Sequence, residues 1–321
     1  MNKPKLTIIC GPTASGKSRL AMHMAKCHDG LLINADSMQV YSEIPIITAS
    51  PRSSDKSQIG HYLYNYISVA DSFSVAKYLT DVTKALEEIS SLNKRPIIVG
   101  GTGLYISSLI NGLCEIPDID DEVRQRAREE FERLGSAGFY ECLITIDPDS
   151  LRLKPSDSQR MIRSYEVLLQ TGKPISYFQT PSKSILSNYD LSVIMLKPER
   201  AFLHKCCNER FIELVENGGL EEAKALLLSG LIRGSHDSTE SLESSPREAS
   251  YMTITAQKAL GLTELWNYIH GKITLEESIA LAQARTRQYA KRQLTWFNNQ
   301  IKDKQVIEYA SKAEFESFLR A

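Results

Sequence analysis

Leu6-Thr7-Ile8-Ile9-Cys10-Gly11-Pro12-Thr13-Ala14-Ser15-Gly16-Lys17-Ser18 decides the fold. Its apolar first half reads as a buried strand, and Gly11 to Ser18 satisfies G-x-x-x-x-G-K-[ST], the phosphate-cradling loop. The glycines let backbone N–H groups face an anion, and the helix that begins at Lys17 adds its positive end. Lys17 supplies a point charge for phosphates, and the Ser18 hydroxyl suits Mg²⁺. A plain glycine turn beside a surface lysine is the competing reading. The strand before the loop and the helical pattern after it favour the phosphate loop, which predicts binding of a di- or triphosphate.

Working outward, Leu31-Leu32-Ile33, Ile97-Ile98-Val99 and Val193 to Leu196 repeat the short apolar run. Such runs suit strands buried on both faces of a parallel sheet. Helical stretches separate them, from about Lys17 to His28 and from Ser74 to Ser91, where Val75, Leu79, Val82, Leu86 and Ile89 recur at helical spacing. The fold class is therefore α/β. From Asp120 the chain turns charged and helical, with further helix starts at Pro148-Asp149-Ser150 and Ser156-Asp157. This predicts a helical insertion over residues 118–188 between core segments 1–117 and 189–321. Long helices are expected from Glu199 to Asn217 and from Thr274 to Asn299. Gly234 to Ser250 is serine-rich without apolar periodicity and reads as a solvated loop.

The net charge of −1 over 321 residues excludes polyanion binding by bulk electrostatics, so any nucleic-acid contact needs a local basic surface. No apolar run approaches the ~18 residues of a membrane span. The N-terminus runs straight into the first strand, leaving no room for a secretory signal. The six cysteines form no C-x-x-C pair. They read as reduced residues of a cytoplasmic protein.

Two more strand ends carry chemistry. Asp36 follows Leu31-Leu32-Ile33-Asn34-Ala35, and Thr102 lies in the turn Gly100-Gly101-Thr102-Gly103. Ligands of open α/β sheets bind beyond the carboxyl ends of the strands, so Lys17, Ser18, Asp36 and Thr102 converge on one crevice. From local sequence alone, Asp36 also reads as a helix cap or as the Mg²⁺-linked carboxylate of a nucleotide hydrolase. Near the C-terminus, Ser278 to Lys302 holds five basic residues and no acidic one. Helical geometry puts Arg285, Gln288, Arg292 and Trp296 on one face, with Arg287 and Lys291 on the other. Aromatics among cations suit nucleic acid, while a merely solvated basic face is the alternative. Arg160 and Arg163, spaced i and i+3, can point the same way.

Together these strings resemble the tRNA dimethylallyltransferase (isopentenyltransferase) family. The matching pieces run in order along the chain: Gly11 to Ser18, Asp36-Ser37-Met38-Gln39-Val40-Tyr41, Val99 to Tyr105, Asp157 to Arg163, Gly172-Lys173-Pro174, Lys258 to Gly261 and Thr286 to Phe297. The resemblance implies a P-loop kinase-like parallel sheet flanked by helices, with a helical insertion that grips the tRNA anticodon stem-loop. It also implies that the loop holds the diphosphate of dimethylallyl diphosphate, with Mg²⁺, in place of ATP. The implied reaction moves the dimethylallyl group to N6 of adenosine-37.

The resemblance assigns diphosphate contacts to Gly11, Pro12, Thr13, Ala14, Ser15, Gly16, Lys17 and Ser18, with Arg210 as a clamp and Ser18 on the metal. Asp36 takes the role of base, and Thr102 and Lys17 act near the reacting centre. Asp36, Ser37, Met38, Gln39, Thr102, Arg124, Gln159, Arg160, Met161, Ile162 and Arg163 fall at tRNA-contact positions, joined by the basic face of Arg285, Gln288 and Arg292. The implied partners are tRNA and dimethylallyl diphosphate, bound by a monomer. The enzymatic rival is a small-molecule or nucleotide kinase, which predicts ATP turnover and gives no reason for the acid-free helix. Three departures stand out. Ile46-Ile47-Thr48-Ala49-Ser50-Pro51 replaces the family's I-G-T-A-K-P, and His61-Tyr62-Leu63-Tyr64-Asn65 replaces H-H-L-[IV]-D. The serine-rich segment 234–250 is the third.

Overall fold

The computed structural model describes residues 3–180, 182–231 and 256–320. Among the described residues six strands form one sheet: β1 (Lys5–Cys10), β2 (Gly30–Asn34), β3 (His61–Tyr62), β4 (Arg95–Gly100), β5 (Asp190–Pro198) and β6 (Gln305–Tyr309). Their order is β3-β2-β4-β1-β5-β6, with every pairing parallel. β1 lies inside the sheet, and Leu6, Ile8, Ile9 and Cys10 are fully buried. A strand covered on both faces favours apolar residues at nearly every position; the one buried polar side chain of β1, Thr7, accepts from Arg95 Nη2 at 2.8 Å.

The register places the working edge. Cys10 pairs with Gly100 on one side and Met195 on the other, while Asn34 pairs with Val99. The carboxyl ends of β1, β2 and β4 are therefore level. There the chain after β2 meets the chain after β4: Ala35 N donates to Val99 O at 2.8 Å, and Thr102 N donates to Ala35 O at 3.1 Å. Gly100 allows this approach, because a Cβ there would run into the Ala35 backbone.

Helices cover both faces. α1 (Lys17–Cys27) follows the phosphate loop, α2 (Ser53–Lys56) is a single turn, α3 (Val75–Ser91) precedes β4 and α4 (Gly103–Asn111) follows it. Ser74 caps α3 by accepting from Lys77 N, and Tyr78, Val82, Ala85, Leu86 and Ile89 form its buried stripe. The chain divides into two compact units, Met1–Ile110 with Ile185–Ala321, and Asn111–Ser184. These bounds precede the expected 118 and 188. The composition changes only at Asp120, but Ser182 N already donates to Leu113 O, so the entering and leaving segments pair with each other.

In the smaller unit, α5 (Asp121–Ile146) packs on α6 (Ser158–Thr171) around Phe139, Leu143 and Met161. α5 kinks at Gly135, whose φ is +65°. The Asp157 side chain caps α6 through Arg160 N. The Asp147 carboxylate, buried beneath, accepts from Ser150 Oγ at 2.7 Å and Ser164 Oγ at 3.2 Å.

The larger unit continues with α7 (Arg200–Leu214), α8 (Leu220–Leu228), α9 (Leu262–Ile269), α10 (Leu275–Gln300) and α11 (Lys312–Arg320). The helix expected to run to Asn217 ends at Leu214 and passes through a wide turn, Val215–Gly219, into α8. α10 begins with a capping box in which Thr274 and Glu277 exchange bonds. The serine-rich stretch at 234–250 lies outside the described residues. Among the described residues no helix is long and apolar enough to cross a membrane.

Candidate active site

The phosphate loop is held in a shape that two glycines permit. Gly11 has φ +144° and would bring a Cβ within 2.7 Å of Leu196 O, while Gly16 caps α1 at φ +77°. Both values are costly for residues bearing a side chain. Around the loop lies a cavity of about 340 Å³, lined by Thr13 to Arg19, Asp36, Gln39, Ala49, Tyr64, Val99, Gly100, Arg210 and Glu213. Lys17 Nζ donates to Pro12 O at 2.6 Å. Desolvation pulls its ammonium from 10.5 down to about 8; Asp36 opposes that fall and Arg210 adds to it. Ser15 is 2% exposed, and its Oγ has no hydrogen-bond partner. Ser15 Oγ is thus a buried hydroxyl of the loop whose hydrogen-bonding capacity the protein itself leaves unused.

Arg210 reaches the loop from α7, donating to Thr13 Oγ1 at 2.8 Å and to Thr48 O at 3.2 Å. Burial lowers its pKa, and Asp36 is the leading opposing influence. Asp36 thus acts electrostatically on both cations of the cradle. Its own turn is tightly organised. Asp36 N donates to Asn34 Oδ1 at 2.8 Å, Asp36 Oδ1 accepts from Met38 N at 3.0 Å, and Asn34 Nδ2 donates to Asp36 O at 2.9 Å. Thr102 Oγ1 accepts from Ser37 N at 2.9 Å and lies 3.2 Å from Ser37 Oγ, one residue beyond the carboxylate.

The donor set bears on metal binding. Among the described residues no group of three or more His, Cys, Asp or Glu side chains is placed to hold an ion. The exposed Ser18 lines the same cavity as Asp36 and Glu213. A few hard oxygens beside an anion site fit Mg²⁺, which keeps several waters and shares phosphate oxygens with its ligand.

The family model described as IPP transferase matches residues 39–300. A tRNA dimethylallyltransferase of Rickettsia bellii (strain OSU 85-389) is 44% identical over 317 residues, covering 98% of this chain and 94% of that protein. This chain belongs to the IPP transferase family. The tRNA dimethylallyltransferase of Rickettsia prowazekii (strain Madrid E) is 42% identical, covering 100% of this chain and 97% of that protein. Among solved structures, the full-length tRNA isopentenylpyrophosphate transferase of Bacillus halodurans superposes with a TM-score of 0.64 at 30% identity, covering 99% and 95% of the two chains. A eukaryotic dimethylallyltransferase acting on tRNA gives a TM-score of 0.78 at 27% identity, covering 98% of this chain and 76% of that one. The P-loop kinase-like parallel sheet with flanking helices is the architecture expected from the sequence.

Other residues implied by the resemblance are placed unevenly. Gln39 lines the cavity but spends its amide on Thr48 O and Ala49 O, at 3.0 and 2.9 Å. Ser37 and Met38 are half-buried beside Asp36. In the smaller unit, Gln159 and Arg160 are exposed, and Arg160 lies 3.4 Å from Asp157. Arg163 pairs with Glu166 at 3.2 Å, and Arg124 Nε donates to Ile119 O at 3.1 Å. Met161 requires correction as an RNA contact: its side chain is fully buried among Phe139 and Leu143, where it holds α6 to α5. Ile162 packs against the same cluster.

The basic helix also needs revision. Arg285, Gln288 and Arg292 do line one cavity with Lys258 to Gly261. Arg285, however, pairs at 2.6 Å with Glu264 of α9, which is 3% exposed. The missing acid comes from a neighbouring helix. Nor do the aromatics form a stacking platform: Phe297 is fully buried in the core, and Trp296 packs where a Cβ on Gly103 would come within 2.5 Å of its ring.

Two of the departures prove to be in contact. Asn65 Nδ2 donates to Ser50 Oγ at 3.1 Å and to Tyr41 O at 2.9 Å. Where the family pattern carries Lys and Asp, this chain joins a neutral pair. Ile47, in the family's glycine position, is buried, and Glu222 fixes the local backbone by accepting from Ile46 N at 2.8 Å and Ile47 N at 2.7 Å. Sequence reading also missed the braces of the phosphate loop. Tyr309 OH donates to Ser15 O, and Gln293 accepts from Thr13 N. Neither has a local signature, because each acts across nearly the whole chain.

Proposed function

We propose that this chain transfers a dimethylallyl group from dimethylallyl diphosphate to N6 of adenosine-37 in the anticodon stem-loop of tRNA, releasing diphosphate. The single observation that carries the reading is the placement of Asp36 in the cavity of Lys17 and Arg210, with Thr102 bonded to the next residue. The names of the family relatives favour this acceptor and donor over the kinase alternative.

In the proposed step, a new bond forms between the adenine N6 and the first carbon of the dimethylallyl group, and the bond from that carbon to the bridging oxygen breaks. The electron pair leaves with the diphosphate. Asp36 accepts the N6 proton, offsetting the weak nucleophilicity of an exocyclic amine. Lys17, Arg210, Ser15 and the loop amides stabilise the charge growing on the leaving group. Thr102 donates near the bridging oxygen. Mg²⁺, held through Ser18 with Asp36 and Glu213 at hand, supplies further charge neutralisation when bound. A base paired in a stem cannot reach such a cleft, whereas a loop base turned out of its stack can. Gln159, Arg160 and Arg163 offer the smaller unit's polar contacts to RNA. A monomer working in the cytoplasm meets these needs.

Incubating the protein with labelled dimethylallyl diphosphate and unmodified tRNA, beside an ATP control, tests the reading. Label should enter tRNA at one adenosine next to the anticodon. ATP consumption with an unlabelled tRNA would instead favour the kinase.

A further inference from the structure

Gln293 lies on α10, far along the chain from the phosphate loop, yet it is 6% exposed and fully engaged. Its Oε1 accepts from Thr13 N at 2.8 Å, and its Nε2 donates to Gly101 O at 2.8 Å. One planar amide therefore spans the two halves of the site. On one side is the cradle residue whose hydroxyl anchors Arg210. On the other is the carbonyl just before Thr102, whose Oγ1 holds the Ser37 amide next to Asp36. The two partners fix the amide's orientation, since a backbone N–H must meet the oxygen and a carbonyl must meet the nitrogen. The double glycine has a matching explanation: a Cβ on Gly101 would drive into the Gln293 amide. Gly100 serves the Ala35 approach, and Gly101 serves this one.

We infer that Gln293 is a positioning residue, a tie that sets the distance between the bound diphosphate and the Asp36–Thr102 turn. The inference rests on the prenyl-transfer reading and deepens it. Only glutamine meets the requirement. Glutamate accepts but cannot donate when ionised, asparagine is one methylene short, and methionine matches the shape with neither function. The tie touches no substrate. Its loss lets the two reactants drift while each still binds. Misplacement on the scale of 1 Å costs about 100-fold in rate.

The test compares wild type, Gln293→Met and Gln293→Glu in tRNA prenylation. Affinities for inorganic diphosphate and for tRNA are measured alongside. Gln293→Met should lower kcat about 100-fold and change either affinity less than about threefold. Gln293→Glu should match it at neutral pH and regain rate as pH falls, because a protonated carboxyl again donates to Gly101 O. That recovery, absent from Gln293→Met, is a signature no general loss of packing would give. Tyr289, one turn before Gln293 on α10, stays protonated because burial raises its pKa. Arg210 beyond Thr13 stays charged. Rate recovery is therefore read against the wild-type profile. Wild-type turnover in Gln293→Met, or equal losses in kcat and diphosphate affinity, overturns the inference. If Gln293→Met fails to fold, the pH recovery of Gln293→Glu decides alone. If wild type transfers no prenyl group, the functional reading falls; hydrogen exchange at the Thr13 amide then judges the tie, faster exchange in Gln293→Met than in wild type supporting it and equal exchange overturning it.

Discussion

Lys17 should make diphosphate binding depend on pH in a direction fixed by its surroundings. Desolvation holds its ammonium near 8 in the free protein, against an ordinary 10.5. A diphosphate on the loop brings negative charge to Nζ and restores the ordinary range. Above pH 8 the free site has mostly lost this proton, whereas the complex retains it. Affinity for inorganic diphosphate is then level below pH 8 and falls about tenfold for each pH step from 8 towards 10.5. At about pH 9 binding takes up nearly one proton. Calorimetric titrations in two buffers of different ionisation enthalpy count that proton directly. Lys17→Arg is the control: it binds more weakly but lacks the titration, so the difference from wild type cancels the diphosphate's own protonation. The thiols of Cys10 and Cys207, pushed up by burial to about 12 and about 11, titrate above the window. Stability responds in the opposite sense. From pH 8 to 10.5 the unfolded chain holds more protons at this lysine, so the group's contribution to stability rises with pH. An affinity unchanged across the window, with the same proton count in wild type and Lys17→Arg, would refute the reasoning.

Three further outcomes are expected. Asp36→Asn keeps an acceptor for Met38 N, so prenyl transfer should slow by roughly 10²–10⁴ while tRNA affinity stays within about threefold; equal losses in both would remove Asp36 from the proton transfer. Neutralising Arg160 and Arg163 together should weaken tRNA binding and reduce its slope against log salt by about 1 per arginine, leaving diphosphate binding intact, as filter binding across a salt series will reveal. Ser50→Lys and Asn65→Asp should couple in a double-mutant cycle by about 0.5–3 kcal/mol in urea unfolding; strict additivity would mean the contact between them carries no energy.

The sequence made the fully buried parts of the sheet legible, and the reason is geometric. β1, β2, β4 and β5 are covered on both faces over most of their length and so are largely apolar. β3 is two residues long, and β6 is an edge strand, largely exposed, whose residues Gln305–Tyr309 carry no such run. The candidate site was legible where function sits at strand ends: Lys17, Asp36 and Thr102 occupy a common edge because a parallel register puts them there. What periodicity along one helix cannot reveal is the partner across it. Glu264 supplies the acid missing from α10, and Gln293 looks like one more polar residue in a basic helix although it is buried. Met161 follows the same logic, its motif pointing to RNA while its place on α6 faces the core.

The bracing of the phosphate loop by the far end of the chain has a consequence for how the protein is made. Tyr309 reaches Ser15 across 294 residues, Phe315 packs against Gly16, and Arg19 pairs with Glu316. A growing polypeptide holds β1 and the glycine-lysine string long before the residues that brace them are made. The clamp that holds them in shape is made 294 residues later. The anion cradle is therefore finished only once these later segments have been translated, however early its own residues were added.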